Sequence, residues 1–260
     1  MTESDRVAVV TGAATGIGAA IARRLAGGGW RVALGYRSSE AEAKAVAADC
    51  EALGAEVLLH RADVVADADC RALAGAALER WGRIDALVNN AGTTKFVAAP
   101  DLEGLNAEDF AQIFEVNLLG AWQMTRAAAA ALKASGRGAV VNISSHSGFS
   151  GSGSSLAYAA SKGALNTLTL GLARTLAPEV RVNAVCPGYV ETDWARRALD
   201  DDAFDALKEG IREVAPLKRV TQADDVAEAV GWFVDGGAAI TGQLLVIDGG
   251  THLTVGEPLR

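Results

Sequence analysis

A chain of 260 residues, half of them apolar and 5% aromatic, can bury one sizeable core, and no Pro-, Gly- or Ser-rich linker divides it; residues 1–260 read as one domain. A formal charge of -8 repels phosphate backbones and anionic lipid, and the largest basic pairs, Arg23-Arg24 and Arg196-Arg197, have helix-surface spacing, so neither nucleic acid nor membrane is expected as a partner. Cys50, Cys70 and Cys186, with the scattered His60, His146 and His252, offer no disulfide framework and no metal-ligand spacing; with no secretory leader pattern and no apolar run near the ~20 residues of a membrane span, a cytoplasmic protein is expected.

Along the chain, short β-branched runs alternate with longer Ala-, Leu- and charge-rich segments. The predicted strands are Arg6 to Thr11, Arg31 to Tyr36, Glu56 to His60, Ala86 to Asn89, Ala139 to Ser144, Val180 to Val185 and Leu244 to Ile247. Helices fill the intervals near 17–28, 40–53, 67–81, 107–134, 156–176 and 223–234. This alternation implies parallel strands joined by right-handed crossovers, and continuous apolar runs such as VAVV and AVVNI suit strands covered on both faces. The fold class expected is α/β: a doubly wound parallel sheet of the Rossmann type, about seven strands with helices on both faces, whose ligands bind at the carboxyl ends of the strands. The stretch 189–214 breaks the rhythm, being Asp-rich, weakly periodic and too long for an ordinary connection, and is expected to form a mobile lid.

After the first strand comes TGAATGIG, residues 11–18, in which Gly12, Gly16 and Gly18 let the backbone turn sharply and approach a pyrophosphate stabilised by helix N-terminal amides. There is no lysine of a nucleotide-triphosphate loop. With NNAG at 89–92, YAASK at 158–162, PGYVET at 187–192 and GQLLVIDGG at 242–250, in that order, the sequence resembles the short-chain dehydrogenase/reductases over essentially its whole length. The likeness is nearest to reductases of 3-oxoacyl groups on acyl carrier protein, and extends to sugar and steroid dehydrogenases.

The resemblance implies an oxidoreductase moving a hydride between a nicotinamide and a carbonyl or secondary alcohol. It places Gly12, Thr15, Gly16, Ile17, Gly18, Ala91, Gly92, Pro187, Gly188, Val190 and Thr192 at the coenzyme, Thr192 at its carboxamide. Asp63 and Val64 would contact the adenine; a helix N-cap is the alternative for Asp63. Asn89 would brace the sheet and the coenzyme turn. Where an NAD-binding fold ends its second strand in a carboxylate, this chain has Tyr36, Arg37 and Ser38. A guanidinium meets a 2′-phosphate with paired charge-assisted hydrogen bonds, so NADP(H) is the coenzyme expected; Thr15, where relatives often carry a base, leaves NAD(H) as a weaker alternative.

Reducing a carbonyl needs a proton donor beside the oxygen and a means of stabilising an alkoxide. Tyr158 and Lys162, i and i+4 on one helical face, supply the first, the ammonium easing ionisation of the phenol. Ser145, thirteen residues before Tyr158, would hydrogen-bond the substrate oxygen, with Ser144 as rival. By resemblance Lys162 also binds the nicotinamide ribose, and the carbonyl of Asn117 holds a water next to it. The substrate pocket should include the loop Thr93, Thr94, Lys95 and Phe96, with His146, Ser147, Tyr189 and Trp194. An acyl carrier protein is a possible partner but not a favoured one, since Glu179 stands where carrier-protein reductases tend to be basic. A homotetramer through helices 107–134 and 156–176 and the last strand is implied, the run AAAAAL at 127–132 either allowing close approach of helices or serving as internal core. The competing reading is a catalytically silent dinucleotide sensor, which would have lost Tyr158 or Lys162.

Overall fold

The computed structural model describes residues 5–196 and 200–254. The ends of the expected domain and residues 197–199 of the expected lid, Arg197 among them, lie outside the described residues. Seven strands run as β1 Val7–Thr11, β2 Arg31–Tyr36, β3 Val57–Arg61, β4 Ala86–Asn89, β5 Gly138–Ile143, β6 Val180–Pro187 and β7 Leu244–Ile247. All pair in parallel, in the order β3-β2-β1-β4-β5-β6-β7, which makes this the doubly wound sheet.

Helices cover both faces: α1 Gly16–Gly27, α2 Glu40–Ala52, α3 Asp67–Trp81, α4 Ala107–Phe114, α5 Gly120–Ala134, α6 Ser147–Ser150, α7 Leu156–Leu176, α8 Asp193–Arg196, α9 Asp201–Val214 and α10 Ala223–Asp235. Alternate strand residues serve opposite layers, as a period of two requires. Ala8, Val10, Val32 and Leu34 pack with Ile21, Leu25 and Phe233 of α1 and α10. Val9, Ala33, Leu87 and Val140 pack with Leu73, Met124, Leu132 and Leu172 of α3, α5 and α7.

That second layer holds a buried polar ladder. Asn89 lies opposite Asn142 in the β4–β5 register and donates to its Oδ1 (2.8 Å) and to Thr125 Oγ1 on α5 (3.0 Å), while Asn142 donates to Thr169 Oγ1 on α7 (2.9 Å). The four side chains are almost fully buried, so these bonds tie both helices to the sheet in one phase.

Three expectations change. The helix read as 107–134 is interrupted by a π turn, Glu115–Leu119, which carries the buried Asn117. Strand β6 runs on to Pro187, whose carbonyl accepts from His146 N (2.8 Å) and so keeps the extended backbone paired beyond the apolar run. Third, the segment read as weakly periodic contains a capped amphipathic helix: Asp200 accepts from Ala203 N (2.8 Å) to start α9, and Phe204, Leu207, Ile211 and Val214 recur at helical spacing. The run 127–132 also packs inward, with Ala128 and Leu132 buried against the α3 side.

Candidate active site

A cleft of about 800 Å³ lies at the carboxyl ends of the strands. Its floor is the turn after β1. Thr11 Oγ1 accepts from the amides of Asn90 (3.0 Å) and Ala91 (3.1 Å), and Asn90 Nδ2 returns bonds to the carbonyls of Thr11 (3.0 Å) and Gly12 (2.9 Å). Gly12 has φ +61°, and a Cβ there would lie 2.9 Å from Ala91 Cα. Thr15 precedes α1 in extended conformation without capping it by its side chain, and the first turn carries no acid. The positive end of α1 is therefore open to the cleft beside Gly12, Thr15, Gly16 and Ile17, which is what a pyrophosphate requires.

Two residues assigned to the coenzyme stand elsewhere. Gly18 does not line the cleft; a side chain there would collide with the Gly12 carbonyl and the Asn90 amide, so its smallness lets α1 close on the turn. Asn89 belongs to the buried ladder, and its neighbour Asn90 braces the turn. Consecutive asparagines at the end of a strand face opposite ways, and the motif alone does not say which faces the turn.

At the far end the cleft is walled by Tyr36, Arg37, Ser38 and Ser39, with Asp63 and Val64 after β3. The Arg37 side chain is exposed and has no partner among the described residues, so its guanidinium is free for a 2′-phosphate. Asp63 accepts from Val65 N (3.1 Å), and the N-cap of α3 is Ala66, so Asp63 does not fill that alternative role. Across from Gly16 stands Thr192, in contact range of any Cβ placed there and itself accepting weakly from Trp194 N (3.4 Å). Ala91, Gly92, Pro187, Gly188 and Val190 complete this wall.

The centre is built by α7. Ser155 accepts from Tyr158 N (3.2 Å) and starts the helix, putting Tyr158 in its first turn and Lys162 one turn on, with Nζ 5.6 Å from the phenol ring centre. Lys162 is buried and donates to the Ile143 carbonyl (2.8 Å); burial pulls its pKa down to about 8. Burial also pushes the Tyr158 phenol up to about 12, against a smaller downward pull from the Ser145 hydroxyl beside it. Of the influences on the phenol, burial is the largest.

Ser145 lies between Tyr158 and the strand ends, its oxygen accepting from Ser147 N (3.1 Å). Ser144 bonds Asn166 Oδ1 (2.6 Å) and the Lys162 carbonyl (3.2 Å) and is occupied with α7. Asn117 clamps the loop after β4: its Oδ1 accepts from Thr93 N (2.8 Å), and its Nδ2 donates to Thr93 O and Ser161 Oγ (3.0 Å each). Gly92 fits between Asn117 Oδ1 and Lys162 Nζ, 3.4 and 3.9 Å from where its Cβ would be.

Of the expected substrate residues, His146, Ser147, Tyr189 and Trp194 line the cleft. Of the loop after β4, Thr93 and Phe96 line it as well, whereas Thr94 and Lys95 do not, the Thr94 hydroxyl meeting Ser154 Oγ (2.6 Å). Sequence reasoning missed Leu207 and Ile211, which reach the cleft from α9. Their signal was the helical spacing masked by the surrounding aspartates.

Fold and site together define a dinucleotide-dependent oxidoreductase. The family model described as enoyl-(acyl carrier protein) reductase matches residues 12–252. A Streptomyces violaceoruber protein assigned as ketoacyl reductase 2 of the granaticin polyketide synthase is 44% identical, over 95% of this chain and 96% of its own. A 3-oxoacyl-(acyl-carrier-protein) reductase of Staphylococcus epidermidis is 33% identical over 96% of this chain and all of its own. Among solved structures, an actinorhodin polyketide ketoreductase with NADPH superposes with a TM-score of 0.85 at 34% identity, covering 96% of this chain and 99% of that one. The chain belongs to the short-chain dehydrogenase/reductase family. These relatives are named as reductases, and the silent-sensor alternative has no support.

Proposed function

We propose that the chain transfers a hydride between NADP(H) and a carbonyl or secondary alcohol, with Tyr158 as the group that gives or takes the proton. When bound, the coenzyme supplies or accepts the hydride. Gly12, Thr15, Gly16 and Ile17 at the mouth of α1 would hold its pyrophosphate, Arg37 and Ser38 the 2′-phosphate, and Thr192 the carboxamide. In the reductive direction Ser145 donates a hydrogen bond to the substrate oxygen and Tyr158 passes its phenolic proton to that oxygen as charge develops there. The Lys162 ammonium, within 5.6 Å of the phenol, stabilises the phenolate left behind. Asn117 keeps the loop at Thr93 and the adjoining Lys162 at fixed spacing.

The observation that carries this reading is the placing of the Tyr158 phenol beside the Ser145 hydroxyl at the cleft wall, with Lys162 one turn behind. Replacing Tyr158 by Phe keeps the ring and removes the proton. The expected result is a loss of at least about a hundred-fold in kcat/KM for ketone reduction, with NADPH affinity retained; near-normal turnover would overturn the assignment.

A homotetramer is supported by exposed apolar side chains on the helices that would meet: Phe110 on α4, Trp122 on α5 and Leu170 on α7. Three buried, unpaired cysteines suit the cytoplasm. No helix of the described residues is long and apolar enough to cross a membrane.

A further inference from the structure

The substrate half of the cleft has a composition of its own. Phe96, Tyr189 and Trp194 present three aromatic side chains, and α9 adds Leu207 and Ile211. Phe96 and Trp194 are 43% and 39% exposed, an unusual outlay of aromatic surface toward an opening. The Trp194 ring centre lies 6.4 Å from that of Tyr158, the two rings tilted by 54°, so a flat group carried next to a carbonyl at Tyr158 would lie within reach of the indole face.

Charge at this end points the same way. Cations next to these lining residues in the chain are matched by carboxylates: Lys95 by Asp109 (2.7 Å), Arg196 by Asp201 (3.1 Å), Lys208 by Glu191 (2.5 Å) and Arg212 by Glu209 (2.7 Å). The carboxylate that does line the opening, Asp193, has no partner among the described residues. Unmatched positive charge stands at the opposite end, on Arg37. Among the described residues, an anionic substrate, or one delivered by an acidic carrier, would meet a net negative rim and no receptor for its charge.

We infer that the substrate is an uncharged ketone whose carbonyl is part of, or attached to, a ring system, seated between Phe96, Tyr189, Trp194 and the Leu207–Ile211 face of α9. The inference rests on the oxidoreductase reading for the position of the carbonyl, and on the pocket's own chemistry for the rest.

Binding and turnover separate the two. With the full chain loaded with NADP⁺, dissociation constants are measured by calorimetry for 1-tetralone, a flat neutral ring ketone, and for acetoacetyl-coenzyme A, an acyclic polyanion. Tetralone should bind at least about ten-fold more tightly, and Trp194→Ala should weaken it about three- to ten-fold while Trp194→Phe restores most of the loss. Tighter binding of the coenzyme A thioester, or tetralone binding indifferent to Trp194→Ala, overturns the inference. Turnover is then read with NADPH: tetralone that binds as expected and is not reduced counts against the oxidoreductase reading and leaves the pocket assignment standing.

Discussion

Lys162 is an expensive residue. Its ammonium is buried with one neutral acceptor, the Ile143 carbonyl, and its pKa falls from 10.5 to about 8. Between those two values the unfolded chain binds the proton and the folded one does not, so this group makes stability rise with pH from about 8 to 10.5. At neutral pH the deficit is on the order of 3 kcal/mol. Lys162→Met should therefore melt roughly 4 °C higher than the parent at pH 7, after allowance for the lost hydrogen bond, and be inactive. The gap should close as the pH approaches 10.5; a variant that melts lower at pH 7 would contradict this account. The Tyr158–Lys162 pair was legible because helix periodicity alone sets i and i+4 on one face. Asn89 against Asn90 was not legible, nor which residues of the loop 93–96 reach the cleft, since the side facing it depends on the backbone to within one residue.

Among elements, α9 decides how the cleft is covered. Phe204 anchors it, 2% exposed and flanked by the Arg196 and Lys208 cations at 4.6 and 5.4 Å from its ring centre; burial of such a side chain contributes about 2–3 kcal/mol. Glu191 ties the segment down from the other side, pairing with Lys208 and accepting from Gln222 Nε2 (3.0 Å), while its backbone N–H bonds the Thr221 carbonyl (3.0 Å). Lys208, then Gln222, hold its carboxyl below the usual range. A half-buried pair of this kind is worth about 0.5–1 kcal/mol. Glu191→Gln should accordingly raise KM for a ketone about two- to five-fold and leave kcat within about two-fold; an unchanged KM would show that α9 needs no such tie. The long helices and the strands were readable from periodicity because each buries one stripe against the sheet. The π turn was not, since apolar residues continue on both sides of it and a one-residue slip leaves no mark in composition.

For the whole molecule, the parallel, doubly wound character of the sheet followed from the alternation of strand and helix, since right-handed crossovers leave few arrangements, whereas the strand order is read from the structure. Assembly did not follow in the same way. The Ala-rich run, readable as a subunit contact or as internal core, packs against α3, and these helices leave apolar surface outside at Phe110, Trp122 and Leu170. Sedimentation at micromolar concentration should give the mass of four chains, and Trp122→Arg should shift it to smaller species; a parent protein sedimenting as a single chain would dismiss the tetramer.

The buried ladder Thr125–Asn89–Asn142–Thr169 locks α7, which carries Lys162, and α5, which follows the π turn of Asn117, while Leu207, Ile211 and Trp194 hang from a segment moored separately through Phe204 and Glu191. Proton handling and molecular taste are thus built on different foundations. A lineage holding the first fixed is free to rewrite the second, acquiring new compounds to act on without relearning the reaction.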